Sequence, residues 1–219
     1  AGSYNTAMGN DALLNCLGSH NTAIGYKALE DNTTGAYNVA VGDQALEANT
    51  TGESNVALGR FALTANTTAS DNVAVGNYAL DANTTGDRNI AVGYNALTTN
   101  TVGDRNVAIG YGALKTMDPS SNADTMNVGV GYNALENTST GINNTAVGGY
   151  VMQANTTGTD NVAIGEQALV SNTTGSTNTA VGANALDNNT TGDYNTAIGK
   201  SALDAVTTTS GSTAVGYEA

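Results

Sequence analysis

One phrase, repeated at a fixed interval, builds this chain. It opens at Asn21 (NTAIGYKALEDNTTGAY) and returns at Asn38, Asn55, Asn72, Asn89 and Asn106, each 17 residues after the last. The interval resumes at Asn127, Asn144, Asn161, Asn178, Asn195 and Ser212, and a copy one residue shorter opens at Asn5. A unit this short cannot enclose a core alone, so neighbouring copies must stack, and the expected architecture is a solenoid. Residues 1–219 read as a single repeat array of about 13 coils.

Counting the opening residue as position 1, position 5 is Gly in every copy; in the first regular stretch these are Gly25, Gly42, Gly59, Gly76, Gly93 and Gly110. Position 4 is always branched or long and apolar, position 3 is Ala except for Gly129, and position 2 is Thr, Val or Ile. Positions 2 to 5 therefore predict a short strand, since β-branched residues suit a pleated surface and sit poorly in a helix. Period-2 alternation puts positions 2 and 4 on one face and the small residues on the other. With Leu at position 9, positions 2 and 4 are the sizeable apolar side chains each coil can bury. The Ala and Gly face is expected to lie outside, where it allows a second subunit to come close. Gly at position 5 ends the strand or admits another backbone.

Most copies close on Asn-Thr-Thr-Gly, a turn in which Asn bonds nearby backbone and Gly supplies unusual dihedrals. Its asparagines, Asn32, Asn49, Asn66, Asn83, Asn155, Asn172 and Asn189, are expected to stack as a structural ladder. Positions 6 to 11 are ambiguous. Adjacent Ala and Leu cannot share one face of a strand, so the arm is either a second short strand with both faces buried or a single helical turn. The second strand is the preferred reading. The one interruption is a turn at 115–126 with four extra residues, including Met117-Asp118-Pro119-Ser120-Ser121. Because the chain starts and stops inside a repeat, it is expected to be a segment of a longer fibre. The fold class is all-β, a parallel β-solenoid or β-roll.

Composition removes most chemistries. Ala 34, Thr 33, Asn 30 and Gly 27 supply most of the 219 residues, with one Cys, one His and no Trp. A disulfide framework needs paired cysteines, and a zinc site needs more than Cys16 and His20. No apolar run approaches the roughly 18 residues of a membrane helix. Six basic against 19 acidic residues, net −13, disfavour nucleic acid. No base other than His20 is present for nucleophilic catalysis, and Cys16 sits in the same turn, where other copies carry Thr. The carboxylates (Glu30, Glu47, Asp81, Glu136, Asp187; Glu53, Asp87, Asp104, Asp193) recur along the array rather than converging, and read as solvated charge. No catalytic residue, metal site or cofactor is expected. Tyr26, Tyr94, Tyr111, Tyr132 and Tyr217 recur at position 6, either packing along the coil edge or stacking on sugars.

The core Asn-Thr/Val-Ala-Ile/Val-Gly resembles the head repeat of YadA-like trimeric autotransporter adhesins. The full phrase Asn-Thr-Ala-Ile-Gly-Tyr-x-Ala-Leu-x-x-Asn-Thr-Thr-Gly is similar to arrays in bacterial and phage tail-fibre-domain proteins. The resemblance covers essentially the whole chain, although the 17-residue unit and the Ala-Leu arm depart from the shorter adhesin motif. It implies a left-handed β-roll, three chains about one axis, and an extracellular, cell-surface or virion fibre used for attachment. The partners so implied are the chain itself, as a homotrimer or head to tail, and an unknown cell-surface receptor or glycan, without membrane insertion by this segment. Two other readings stay open: a self-assembling filament subunit, and an ice-binding protein whose Thr rows order water.

Overall fold

The computed structural model describes residues 2–121 and 123–219. Thirteen three-residue strands and no helix occur among them. The chain divides into two compact units, Ala1–Asn106 with Asp118–Ala123, and Val107–Met117 with Asp124–Ala219. The first carries β1 (Thr6–Met8), β2 (Thr22–Ile24), β3 (Val39–Val41), β4 (Val56–Leu58), β5 (Val73–Val75), β6 (Ile90–Val92) and the two-residue β7 (Gly103–Asp104). The second carries β8 (Val107–Ile109), then β10 (Val128–Val130), β11 (Thr145–Val147), β12 (Val162–Ile164), β13 (Thr179–Val181), β14 (Thr196–Ile198) and β15 (Thr213–Val215); of the short β9 (Ala123–Asp124) in the interrupted turn, Ala123 belongs to the first unit and Asp124 to the second. Within each unit consecutive long strands pair parallel and in register, so that Val39 lies on Val56 and Val56 on Val73. The chain is an all-β parallel solenoid with one strand per coil.

The strand faces are the reverse of the expected ones. Ala at position 3 points inward and is fully buried, as at Ala40, Ala57, Ala74, Ala163 and Ala180. Positions 2 and 4 point outward and stay half-buried or exposed. The reason is the narrowness of the coil. Across from each strand the interior already holds a fully buried Ala and Leu at positions 8 and 9 (Ala45 and Leu46) and two asparagines at positions 1 and 12 (Asn38 and Asn49). Only a methyl group fits opposite them, so the branched side chains are left outside. The small-residue face thus lines the interior and is not a surface for another subunit.

The arm from position 6 to 11 is neither a strand nor a helical turn. It is a run of tight turns in which αL residues alternate with ordinary ones: Gln44 and Leu46 have φ of 58° and 52°. Some N–H groups donate back within the coil, Ala45 N–H to Gly42 O (3.4 Å) and Asn49 N–H to Leu46 O (3.2 Å). The αL residues donate to neighbouring coils, Gln44 N–H to Tyr26 O (2.8 Å) and Leu46 N–H to Ala62 O (3.0 Å). This alternation lets adjacent Ala45 and Leu46 both face inward, which no regular strand permits. Each αL residue costs roughly 1–2 kcal/mol. The cost is offset by a second set of inter-coil hydrogen bonds and by complete burial of the Leu.

Candidate functional site

Three polar ladders run through each unit, and one of them is the turn ladder of the sequence. Position-12 amides stack on one another: Asn49 Nδ2 donates to Asn32 Oδ1 (2.8 Å), Asn66 to Asn49 (2.8 Å) and Asn83 to Asn66 (3.1 Å), and in the second unit Asn172 to Asn155 (3.0 Å) and Asn189 to Asn172 (2.9 Å). All seven are fully buried. Asn100 belongs to the same ladder, donating to Asn83 Oδ1 at 3.1 Å. The sequence hid it because its turn reads Asn-Thr-Val-Gly.

The opening asparagines form a second ladder, for which the near-invariance of position 1 was the available signal. The backbone N–H of Asn38 donates to Asn21 Oδ1 (2.9 Å), Asn55 to Asn38 (2.9 Å) and Asn72 to Asn55 (3.0 Å). Both ladders meet on one carbonyl per coil: Gly52 O accepts from Asn38 Nδ2 (2.8 Å) and Asn49 Nδ2 (3.1 Å). The two arms of the coil are thereby tied at the turn, and nearly every buried amide group has its partner.

Side chains at position 16 make the third ladder. Asp87 Oδ1 accepts the backbone N–H of Ser70 (2.7 Å), Asp104 Oδ1 that of Asp87 (2.7 Å), and Asp193 Oδ1 that of Ser176 (2.7 Å). These aspartates are therefore structural acceptors rather than freely solvated charge, and Asp104 is buried. Lys27 bridges Glu30 (2.9 Å) and Glu47 (3.2 Å), and these hydrogen bonds hold its ammonium well above the usual lysine range. Burial pushes the Asp81 carboxyl up against a lowering hydrogen bond from Thr64, and burial with nearby Asp204 raises Asp187. A hydrogen bond with Glu218 raises the Tyr217 phenol.

One break in the position-12 ladder is instructive. Asn189 Oδ1 is buried without a partner. In the regular rungs this oxygen accepts from the Asn of the following coil, and here that slot is occupied by Val206, which has no donor. Val206→Asn is expected to stabilise the protein by about 1 kcal/mol, the net worth of one buried hydrogen bond. The check is the urea midpoint at unchanged slope.

Cys16 also occupies the Asn slot, not a Thr position as the sequence alignment suggested. Its Sγ lies 3.2 Å from Asn32 Nδ2 and 3.6 Å from Asn21 Nδ2. His20 is stacked between Tyr4 (4.8 Å between ring centroids) and Tyr37 (5.0 Å). The first Thr of most turns stitches coils together, as where Thr50 Oγ1 donates to Thr67 O (2.9 Å). Apart from Asn100, the ladder asparagines open Asn-x-Thr triplets, the form of an N-glycosylation acceptor, and these asparagines are buried with their amides engaged.

Aromatic rings run along the coil edge and pack on one another. Tyr111 and Tyr132 are stacked at 5.2 Å, Phe61 and Tyr78 likewise at 5.2 Å, with Arg60 over the Phe61 ring at 4.3 Å. The position-6 tyrosines stay about half exposed at Tyr26, Tyr94, Tyr111 and Tyr132, and more so at Tyr217. Among the described residues there is no pocket, no group of three metal-ligating side chains, and no helix long and apolar enough to cross a membrane.

What remains is a surface. Val39, Val56, Val73 and Ile90 at position 2, with Val41, Leu58, Val75 and Val92 at position 4, form two outward rows along the first unit. In the second unit Val162 and Ile164 are 37% and 42% exposed, and Val107 with Ile109, Val128 with Val130, and Thr145 with Val147 continue the pattern. No known protein family, curated protein or solved structure matches the chain.

Proposed function

We propose that this chain is a non-enzymatic structural and adhesive fibre segment that associates with copies of itself through the outward strand face. The observation that carries the reading is the double row of branched aliphatic side chains left in solvent, such as Val56 and Leu58 beside Val73 and Val75. Contiguous apolar surface of this kind marks an association surface in a soluble protein. Regular in-register rows present the same chemistry at every coil, spaced about 4.8 Å apart. A partner with the same spacing matches them along their whole length, and the partner guaranteed to have it is another copy. The arrangement as three chains, and the extracellular role of holding a binding element away from a cell or virion surface, rest on the resemblance to adhesin and tail-fibre repeats. Attachment then draws on several identical faces held together, which multiplies a weak contact through avidity.

The test is solution mass by light scattering on a size-exclusion column. A mass of three times the 21.9 kDa chain is expected. Val73→Glu combined with Ile164→Glu, one charge on each unit's outward face, is expected to lower the mass to that of one chain while keeping the wild-type circular dichroism. A wild-type chain that runs as a clean monomer at all concentrations overturns the reading. Open-ended masses that grow with concentration replace the trimer with a filament.

A further inference from the structure

We propose that the first two coils of the second unit, residues 107–117 and 124–143, are a built-in yield point, the place where the array opens first under heat or load. Four independent departures from the repeat fall together there. Met117 stands in the position-12 ladder, where its thioether can accept only weakly and cannot donate; Asn127 Nδ2 approaches its Sδ at 3.8 Å. Thr138 stands in the next slot, and Asn155 Nδ2 reaches its Oγ1 at 3.3 Å, longer than the 2.9–3.0 Å of the Asn–Asn rungs that follow. Gly129 replaces the inward-facing Ala of every other copy, removing a methyl group from the interior. Asn133 holds a buried Oδ1 that has no partner against Gly112, in the place a side chain there would take.

Each departure removes cohesion between successive coils, and in a solenoid cohesion is nearest-neighbour, so weak rungs lower the opening cost locally rather than everywhere. The interrupted turn, in which Met117-Asp118-Pro119-Ser120-Ser121 replaces Asn-Thr-Thr-Gly, falls in the same stretch of sequence. The backbone ladder itself shows no weakness. Leu114 N–H donates to Ala134 O and Leu135 N–H to Val151 O at 3.0 Å each, the same as Leu169 to Ala185 O and Leu186 to Ala202 O. The weakness lies in the side-chain ladders, and backbone geometry alone would assign the four amides equal protection. In a fibre, such a place lets one coil pair open and re-close while the remaining coils stay intact. The inference does not depend on what the outward face binds.

The experiment is amide-resolved native-state hydrogen exchange on the full chain. Leu114 and Leu135 are expected to exchange at least about tenfold faster than Leu169, and than Leu63 and Leu80 of the first unit. The double variant Met117→Asn with Thr138→Asn restores a donor and an acceptor to each slot, and is expected to bring the difference within about threefold. Equal or slower exchange at Leu114 and Leu135 in the wild-type chain overturns the proposal, and that map decides even if the double variant fails to fold. A folded double variant whose fast exchange is unchanged overturns it as well.

Discussion

Gly59→Val is expected to cost more than about 3 kcal/mol, enough to unfold several coils. Gly59 has φ of 143°, a region that side-chain-bearing residues do not adopt, so any substitution there strains the backbone. Space is the second obstacle. A Cβ at this position would lie 2.5 Å from the carbonyl oxygen and 2.6 Å from the carbonyl carbon of Gly76 in the next coil. Neither atom can move without breaking a rung, because the Gly76 N–H is itself bonded to Leu58 O at 2.8 Å. Gly149 supplies the control. A Cβ there would meet nothing within 4 Å, so Gly149→Ala is expected to shift stability by less than about 0.5 kcal/mol. Thermal melting followed by circular dichroism measures both. A Gly59→Val chain with the wild-type midpoint would show that the coils are not packed as closely as described.

Asn66→Asp is expected to be worse than Asn66→Ala, although it is the smaller chemical change. Asn66 Nδ2 donates to Asn49 Oδ1 (2.8 Å) and Ala69 O (3.1 Å), and its Oδ1 accepts from Asn83 (3.1 Å). Alanine leaves buried groups without partners, at roughly 1–3 kcal/mol each. Aspartate turns the two donor contacts into carboxylate facing acceptors, and an uncompensated buried charge costs on the order of 3–5 kcal/mol. The pH dependence separates the two. Burial raises the introduced carboxyl's folded-state pKa above its unfolded value of about 4, so the protonated form is the one the fold tolerates. The defect of Asn66→Asp is therefore greatest at neutral pH and shrinks as pH falls through that raised value, whereas the defect of Asn66→Ala stays flat relative to wild type. Denaturant melts at about pH 7 and about pH 4.5, each referenced to wild type at the same pH, make the comparison.

These two positions also mark how far the sequence could be read. That every copy carries Gly at position 5 announced a backbone constraint, and the structure supplies its nature. The repeated Asn of the turn pointed to a ladder. Its members Asn32 to Asn83 and Asn155 to Asn189 could be picked out by the turn phrase, while Asn100, Cys16, Met117, Thr138 and Val206 share its slot under different neighbours. Counted from each opening residue all five fall at position 12, but only the stacked coils show that this position is one buried column. The second ladder was in plain view as a nearly invariant first residue, but its hydrogen bonds run between copies, where local sequence carries no signal.

The sequence by itself determined the period, a short strand beginning at position 2, the turn, and hence a parallel all-β solenoid, because these depend on local conformational preference and on copies having only each other to pack against. Only the tertiary structure decided which strand face is the inside. Alternation along Val39-Ala40-Val41 defines two faces but is symmetric between them. The choice is made by what arrives from across the coil: Leu46, Asn38 and Asn49 fill the interior, leave room for the Ala40 methyl alone, and send the valines out. The same closure settled the Ala-Leu arm. Two adjacent side chains can both point inward once alternate residues turn left-handed, and nothing in the local sequence favours that conformation for Leu46 until its neighbours above and below hold it there.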